Sequence, residues 1–139
     1  MLRARSARLQ AAVRVAQWRE QRQRREWQQC EDICRQQQQS LSRLEQYREE
    51  YLVSAPERAR VGVASLSNFS RFMRDLSQAI SLQRQQLADS TRRAERSRMQ
   101  WGQLYARQEA MQRLQREAFT VERRRTERRR EYVQIPRRP

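Results

Sequence analysis

From Phe69 to Ala118 the chain reads FSRFMRDLSQAISLQRQQLADSTRRAERSRMQWGQLYARQEAMQRLQREA. Within it Phe69, Met73, Leu76, Ile80, Gln83, Leu87, Ser90, Ala94, Ser97, Trp101, Leu104, Gln108, Met111, Gln115 and Ala118 recur at alternating steps of four and three. Ten of these fifteen positions are apolar. A spacing that averages 3.5 residues keeps one narrow stripe on a single side of a helix, which is the seam of a coiled coil. Phe72, Tyr105 and Leu114 widen the stripe.

Upstream, the same alternation runs through Leu9, Val13, Ala16, Glu20, Gln23, Trp27, Cys30, Cys34, Gln37, Leu41 and Leu44. Glu20, Gln23 and Gln37 make this seam imperfect. Tyr47 and Tyr51 follow, and the two consecutive steps of three from Leu41 to Tyr47 shift the phase, which predicts local overwinding. Between the patterns, Ser54 to Ser67 holds Pro56, Gly62 and several serines. Pro56 suits a turn or short helix, and Gly62 permits positive φ. Ser67 or Asn68 suits an N-cap. The expectation is an all-α fold, a long antiparallel two-helix coiled-coil hairpin forming a single domain over 1–139. Helix 1 is expected at about 3–53, a connector at 54–67, helix 2 at about 68–131 and a tail at 132–139.

Composition limits the chemistry. The 139 residues include 31 basic ones, all Arg, against 16 acidic ones, for a net charge of +15. His is absent, which removes the usual general base and the commonest metal ligand. With 2 Gly and 3 Pro there is neither a phosphate-cradling loop nor the turn supply of a β protein. A two-helix rod offers no pocket to gather carboxylates, so no enzyme, catalytic residue, cofactor or metal site is expected. Cys30 and Cys34, four apart on one helical face, read as small apolar side chains and not as a disulfide. Gln36 to Gln39 read as a polar helix segment. No apolar run approaches a membrane span. Met1 to Val15 is Arg-rich and amphipathic, but the helical pattern continues through it, so it is not read as a transit peptide. The expected site is the cytosol.

Two features are candidates for recognition. Arg123, Arg124, Arg125, Arg128, Arg129 and Arg130, with Arg137 and Arg138 beyond Pro136, form a basic run interrupted by Glu122, Glu127 and Glu131. It can be a solvated helix face, meet an acidic protein or anionic lipid, or neutralise nucleic-acid phosphates. The aromatics lie on the seam and are not interleaved with it, which speaks against specific nucleic-acid binding. The second feature is aromatic: Tyr47, Tyr51, Phe69 and Phe72, beside Leu76 and Ala79. Phe69 and Phe72 are three apart and cannot both point to the seam centre, so part of the cluster faces outward as a docking surface.

The block Leu41-Ser42-Arg43-Leu44-Glu45-Gln46-Tyr47-Arg48-Glu49-Glu50-Tyr51, a Gly-containing connector, and Asn68-Phe69-Ser70-Arg71-Phe72-Met73-Arg74-Asp75-Leu76-Ser77-Gln78-Ala79-Ile80 continuing to Leu87 resemble the FliJ family. So does Trp101-Gly102-Gln103-Leu104-Tyr105-Ala106-Arg107. The family comprises coiled-coil components of the bacterial flagellar type III export apparatus. The resemblance covers roughly residues 35 to 115. It implies an antiparallel hairpin similar to the central stalk of rotary ATPases, bound to the hexameric export ATPase (FliI-like). It also implies contact with the export gate (FlhA-like), which couples energy to protein export, and the handling of export chaperones. The implied place is the cytoplasm, peripheral at the cytoplasmic face of the inner membrane. Gate-contact positions carry over as Leu44, Tyr47, Tyr51, Phe72, Leu76, Ala79 and Gln83. By analogy with the rotary stalk, Arg123, Arg124, Arg125, Arg128, Arg129 and Arg130 fall at the ATPase. Ser40 stands where relatives commonly have Gln, and Gln83 where some have His. The alternatives are the equivalent stalk of a virulence-type (injectisome) secretion system and a basic coiled-coil nucleic-acid binder.

Overall fold

The computed structural model describes residues 4–60 and 62–134, with the backbone alone for Arg58 and Ala59. It contains two α-helices, α1 (Arg5–Ala59) and α2 (Val63–Gln134), packed against each other as a helical hairpin. Two compact units are built from them: a terminal unit from residues 1–25 and 98–139, and a turn unit from residues 26–97.

The turn unit is held by apolar burial. Leu41, Leu76 and Ile80 form its core, with Leu44, Met73 and Leu87 packed against it. Ile80 is only 1% exposed. The antiparallel register is visible in the contacts at Gln37 and Tyr51, whose partners on α2 run backward from Gln83 to Phe72. The Gln83 amide donates to the Gln37 carbonyl oxygen at 3.4 Å, and Arg84 pairs with Glu45 at 3.1 Å. Further along α1, Tyr51 meets Phe72. Gln37 Oε1 is buried and has no hydrogen-bond partner among the described residues.

The terminal unit is held differently. Val13, Ala16 and Ala118 are buried, but so is Glu20, at 2% exposure. Its Oε1 accepts a hydrogen bond from the Trp101 indole at 2.9 Å and pairs with Arg24. Nearer the chain ends, Ser6 donates to Glu122 twice, from Oγ at 2.5 Å and from its backbone N–H at 3.0 Å. Advancing along α1 from Ser6 to Glu20 therefore means retreating along α2 from Glu122 to Trp101, so these segments are also antiparallel.

Burial follows the heptads. Every seam position from Leu9 to Leu44 and from Phe69 to Ala118 is buried or half-buried. Tyr47, where the phase shifts, is 55% exposed.

The reversal is shorter than expected. α1 does not stop near residue 53 but runs through Pro56 to Ala59. Proline lacks the N–H that would bond the carbonyl four residues back. Here that loss falls in an exposed last turn, where solvent can take up the freed carbonyl. α2 begins at Val63, so Ser67 and Asn68 lie inside the helix and are not its cap. Arg60 N–H bonds the Glu57 carbonyl at 3.3 Å, closing α1 with a tight final turn. Gly62 follows at φ +133°, a conformation that side-chain-bearing residues rarely adopt, and its carbonyl receives the Leu66 N–H at 3.1 Å. At the far end of α2, Tyr132, Val133 and Gln134 are helical and not tail. Position 3 and residues 135–139, including Arg137 and Arg138, lie outside the described residues.

Candidate protein-docking surfaces

The aromatic cluster is built around Tyr51. A seam position on α1, it is half-buried and touches rings on both helices. Its ring lies 4.6 Å from Phe72, 6.5 Å from Phe69 and 6.0 Å from Tyr47, centroid to centroid. The Tyr47 pair is stacked, with 21° between planes. Offset and tilted ring pairs at these separations are attractive beyond the area they bury. Tyr51 thus anchors a cluster whose outer members stay in solvent, Tyr47 at 55% and Phe72 at 40% exposure. Phe69, three residues before Phe72, is half-buried. The two phenylalanines therefore divide between seam and surface, as a 3.6-residue helix requires.

The other positions on this face differ in availability. Ala79 is exposed, while Leu44 and Gln83 are half-buried. Leu76 belongs to the core cluster and is 8% exposed, so its side chain supports the surface from beneath and offers little area to a partner. Leu52, Val53, Val63 and Leu66, near the reversal, are also exposed. Sequence reading missed these four because Leu52, Val53 and Val63 fall off the heptad and Leu66, though three residues before Phe69 and in register with it, fell inside the expected connector; the adjacent pair Leu52-Val53, which a two-helix seam cannot bury together, was the available signal.

The six arginines at 123–125 and 128–130 lie within α2, all exposed. Arg123 approaches Glu127 at 3.6 Å, an exposed pair of small energetic weight. The carboxyl of Glu122 is held below the usual glutamate range, first by the Ser6 hydroxyl bond, then by the Ser6 backbone bond, with a further contribution from the nearby Arg125. Glu122 is thus tied to α1, and the rest of this run presents positive charge on successive turns.

Among the described residues no group of three or more His, Cys, Asp or Glu could hold a metal ion. Cys30 and Cys34 are free thiols, each half-buried. No helix among the described residues is long and apolar enough to cross a membrane.

The family described as "Flagellar FliJ protein" matches residues 5–134 of this chain. The chain belongs to the FliJ family. No curated protein and no solved structure matches it. FliJ proteins are non-catalytic components of flagellar protein export.

Proposed function

We propose that this FliJ protein works as a stalk-like adaptor at the cytoplasmic face of the inner membrane. The terminal unit engages the hexameric export ATPase, and the turn unit engages the FlhA-like export gate. Together they couple energy to export, with export chaperones as further partners. The observation that carries this reading is the arrangement around Tyr51. An anchored ring that holds two aromatic neighbours in solvent has the form of an interface hot spot, where a few well-supported aromatics supply most of the binding energy. The exposed arginines of α2 suit the other contact. They accelerate encounter with an acidic surface and fix its orientation.

Pull-down with each purified partner tests the assignment. Tyr47→Ala with Phe72→Ala removes the exposed rings and weakens gate binding, while circular dichroism stays near wild type. Replacing the arginines at 123–125 and 128–130 with Gln weakens ATPase binding and leaves gate binding unchanged. The reverse pattern would exchange the two assignments. Loss of helix in the double alanine variant would make those rings part of the core.

A further inference from the structure

Along the terminal unit the heptad register gives each helix two flanks beside its seam. On α1 the series Arg5, Ala12, Arg19 lies on one flank. On α2 the facing series is Arg107, Leu114, Val121. In an antiparallel pair these flanking rows meet, and they ordinarily carry charges of opposite sign that bridge the seam. Here no acidic residue stands in either row.

A groove lies between the rows instead. One part, about 290 Å³, is floored by Ala12 and Ala16 and walled by Val15, Leu104 and Met111, with Arg19 and Arg107 at its edge. The next part, about 490 Å³, continues over Ala118 between Leu114 and Val121, with Arg5, Arg8 and Arg125 around it. Val15, Leu114 and Val121 are 50%, 40% and 45% exposed. Small residues on the floor let another backbone come close, and the walls offer it apolar area. Arg8, Arg19 and Arg107 form no ion pair among the described residues. Two carboxylates also border the groove, Glu117 and Glu122, and Glu122 is already committed to Ser6. Arg19 and Arg107 share one edge with like charge, a cost that an incoming anion would reverse.

We propose that this groove seats an amphipathic helix of a partner protein, apolar on the face it buries and acidic on both flanks. Residues 4–19 of α1 span about 23 Å, which matches roughly four turns of such a helix. The mode is helix-in-groove, with anchors spaced three and four apart. Charge selects the occupant. A second copy of this chain would bring the same +15 to a basic rim. Nucleic acid would find an apolar floor with no ring to stack on.

The test uses the full-length chain and two dye-labelled synthetic helices of about 16 residues. Both carry Leu at three–four spacing; one is flanked by Glu and its twin by Lys. Fluorescence anisotropy is expected to show the Glu-flanked helix binding at least about tenfold tighter than its twin. Leu114→Glu is expected to weaken it by about tenfold, whereas Tyr105→Glu, on the opposite flank of α2, changes it by less than about twofold. Arg19→Glu with Arg107→Glu is expected to transfer the preference to the Lys twin. Those two positions are exposed, so this pair reads out the groove even if Leu114→Glu lowers helix content. Equal binding of the twins would overturn the proposal, as would full binding by both variant sets. A chain that sediments as a dimer, and becomes monomeric with Leu114→Glu or on adding the Glu-flanked helix, would assign the groove to a second copy and overturn the proposal, as would displacement of the Glu-flanked helix by a duplex oligonucleotide at physiological salt. No export ATPase or gate protein enters the measurement, so its outcome is independent of the stalk reading.

Discussion

The turn unit packs Leu41, Leu76 and Ile80 against one another, whereas the terminal unit closes its seam over a carboxylate. The same four–three repeat runs through both, yet one is secured by removing apolar surface from water, and the other adds to its buried Val13, Ala16 and Ala118 a carboxylate that must be satisfied. These terms respond differently to change. Apolar burial is non-directional and degrades in proportion to the area removed. A buried carboxylate depends on its particular donors, and removing one partner leaves the other stranded.

Substitutions can break that contrast in order of expected size. Ile80→Ala opens a cavity in the best-buried part of the turn unit and is expected to cost roughly 2–5 kcal/mol in urea unfolding. Glu20→Ala leaves the Trp101 N–H and Arg24 without their acceptor. It is expected to cost about 1–3 kcal/mol, with Glu20→Gln losing less because the amide oxygen still accepts from the indole. Gln37→Leu works in the opposite direction. It replaces a buried amide oxygen that accepts no hydrogen bond among the described residues, so it should stabilise by about 1 kcal/mol. The smallest effect is local and depends on pH. Because Ser6 and Arg125 hold the Glu122 carboxyl below its ordinary value of 4.5, the stability from this link is fully present above that value. It is lost as the pH falls through the lowered folded value. The protection of the Ser6 amide, corrected for its intrinsic exchange rate, should therefore stay constant above pH 4.5 and fall as the pH drops through the lowered folded value. Ser6→Ala should move the Glu122 titration, followed by NMR, back toward the ordinary value.

The seam was legible because it needs only periodicity. Ser90 and Ser97, polar members of the second heptad series, are buried as that series requires, since small side chains fit a close approach of helices. Glu20 looked like a defect. Its compensation lies 81 positions away at Trp101, and no local pattern reports such a distance. The reversal was misjudged for a related reason. Pro56 and the serines favour a break locally, but helix propagation from a packed seam carried α1 past them until Gly62 supplied the positive φ. The aromatic patch was legible in composition and only partly in orientation. That one of Phe69 and Phe72 must face outward follows from spacing; that Tyr51 is the ring joining the others required the packed helices. The groove beside Ala12 and Leu114 was not read at all, because it exists only once the register between two distant helices is fixed.

The Glu20 rung has a mechanical corollary. Leucine and alanine in a zipper tolerate sliding by one repeat, since each step offers a similar neighbour. Shifting α2 by seven residues one way here would bring Ala94, which has no donor, to the carboxylate in place of the Trp101 indole, and the other way Gln108, whose amide can donate in the indole's stead. The strands are therefore pinned against shear in the first direction at that point, as a dowel holds two laths, and a pull in that sense applied to one helix is delivered to the other without slippage.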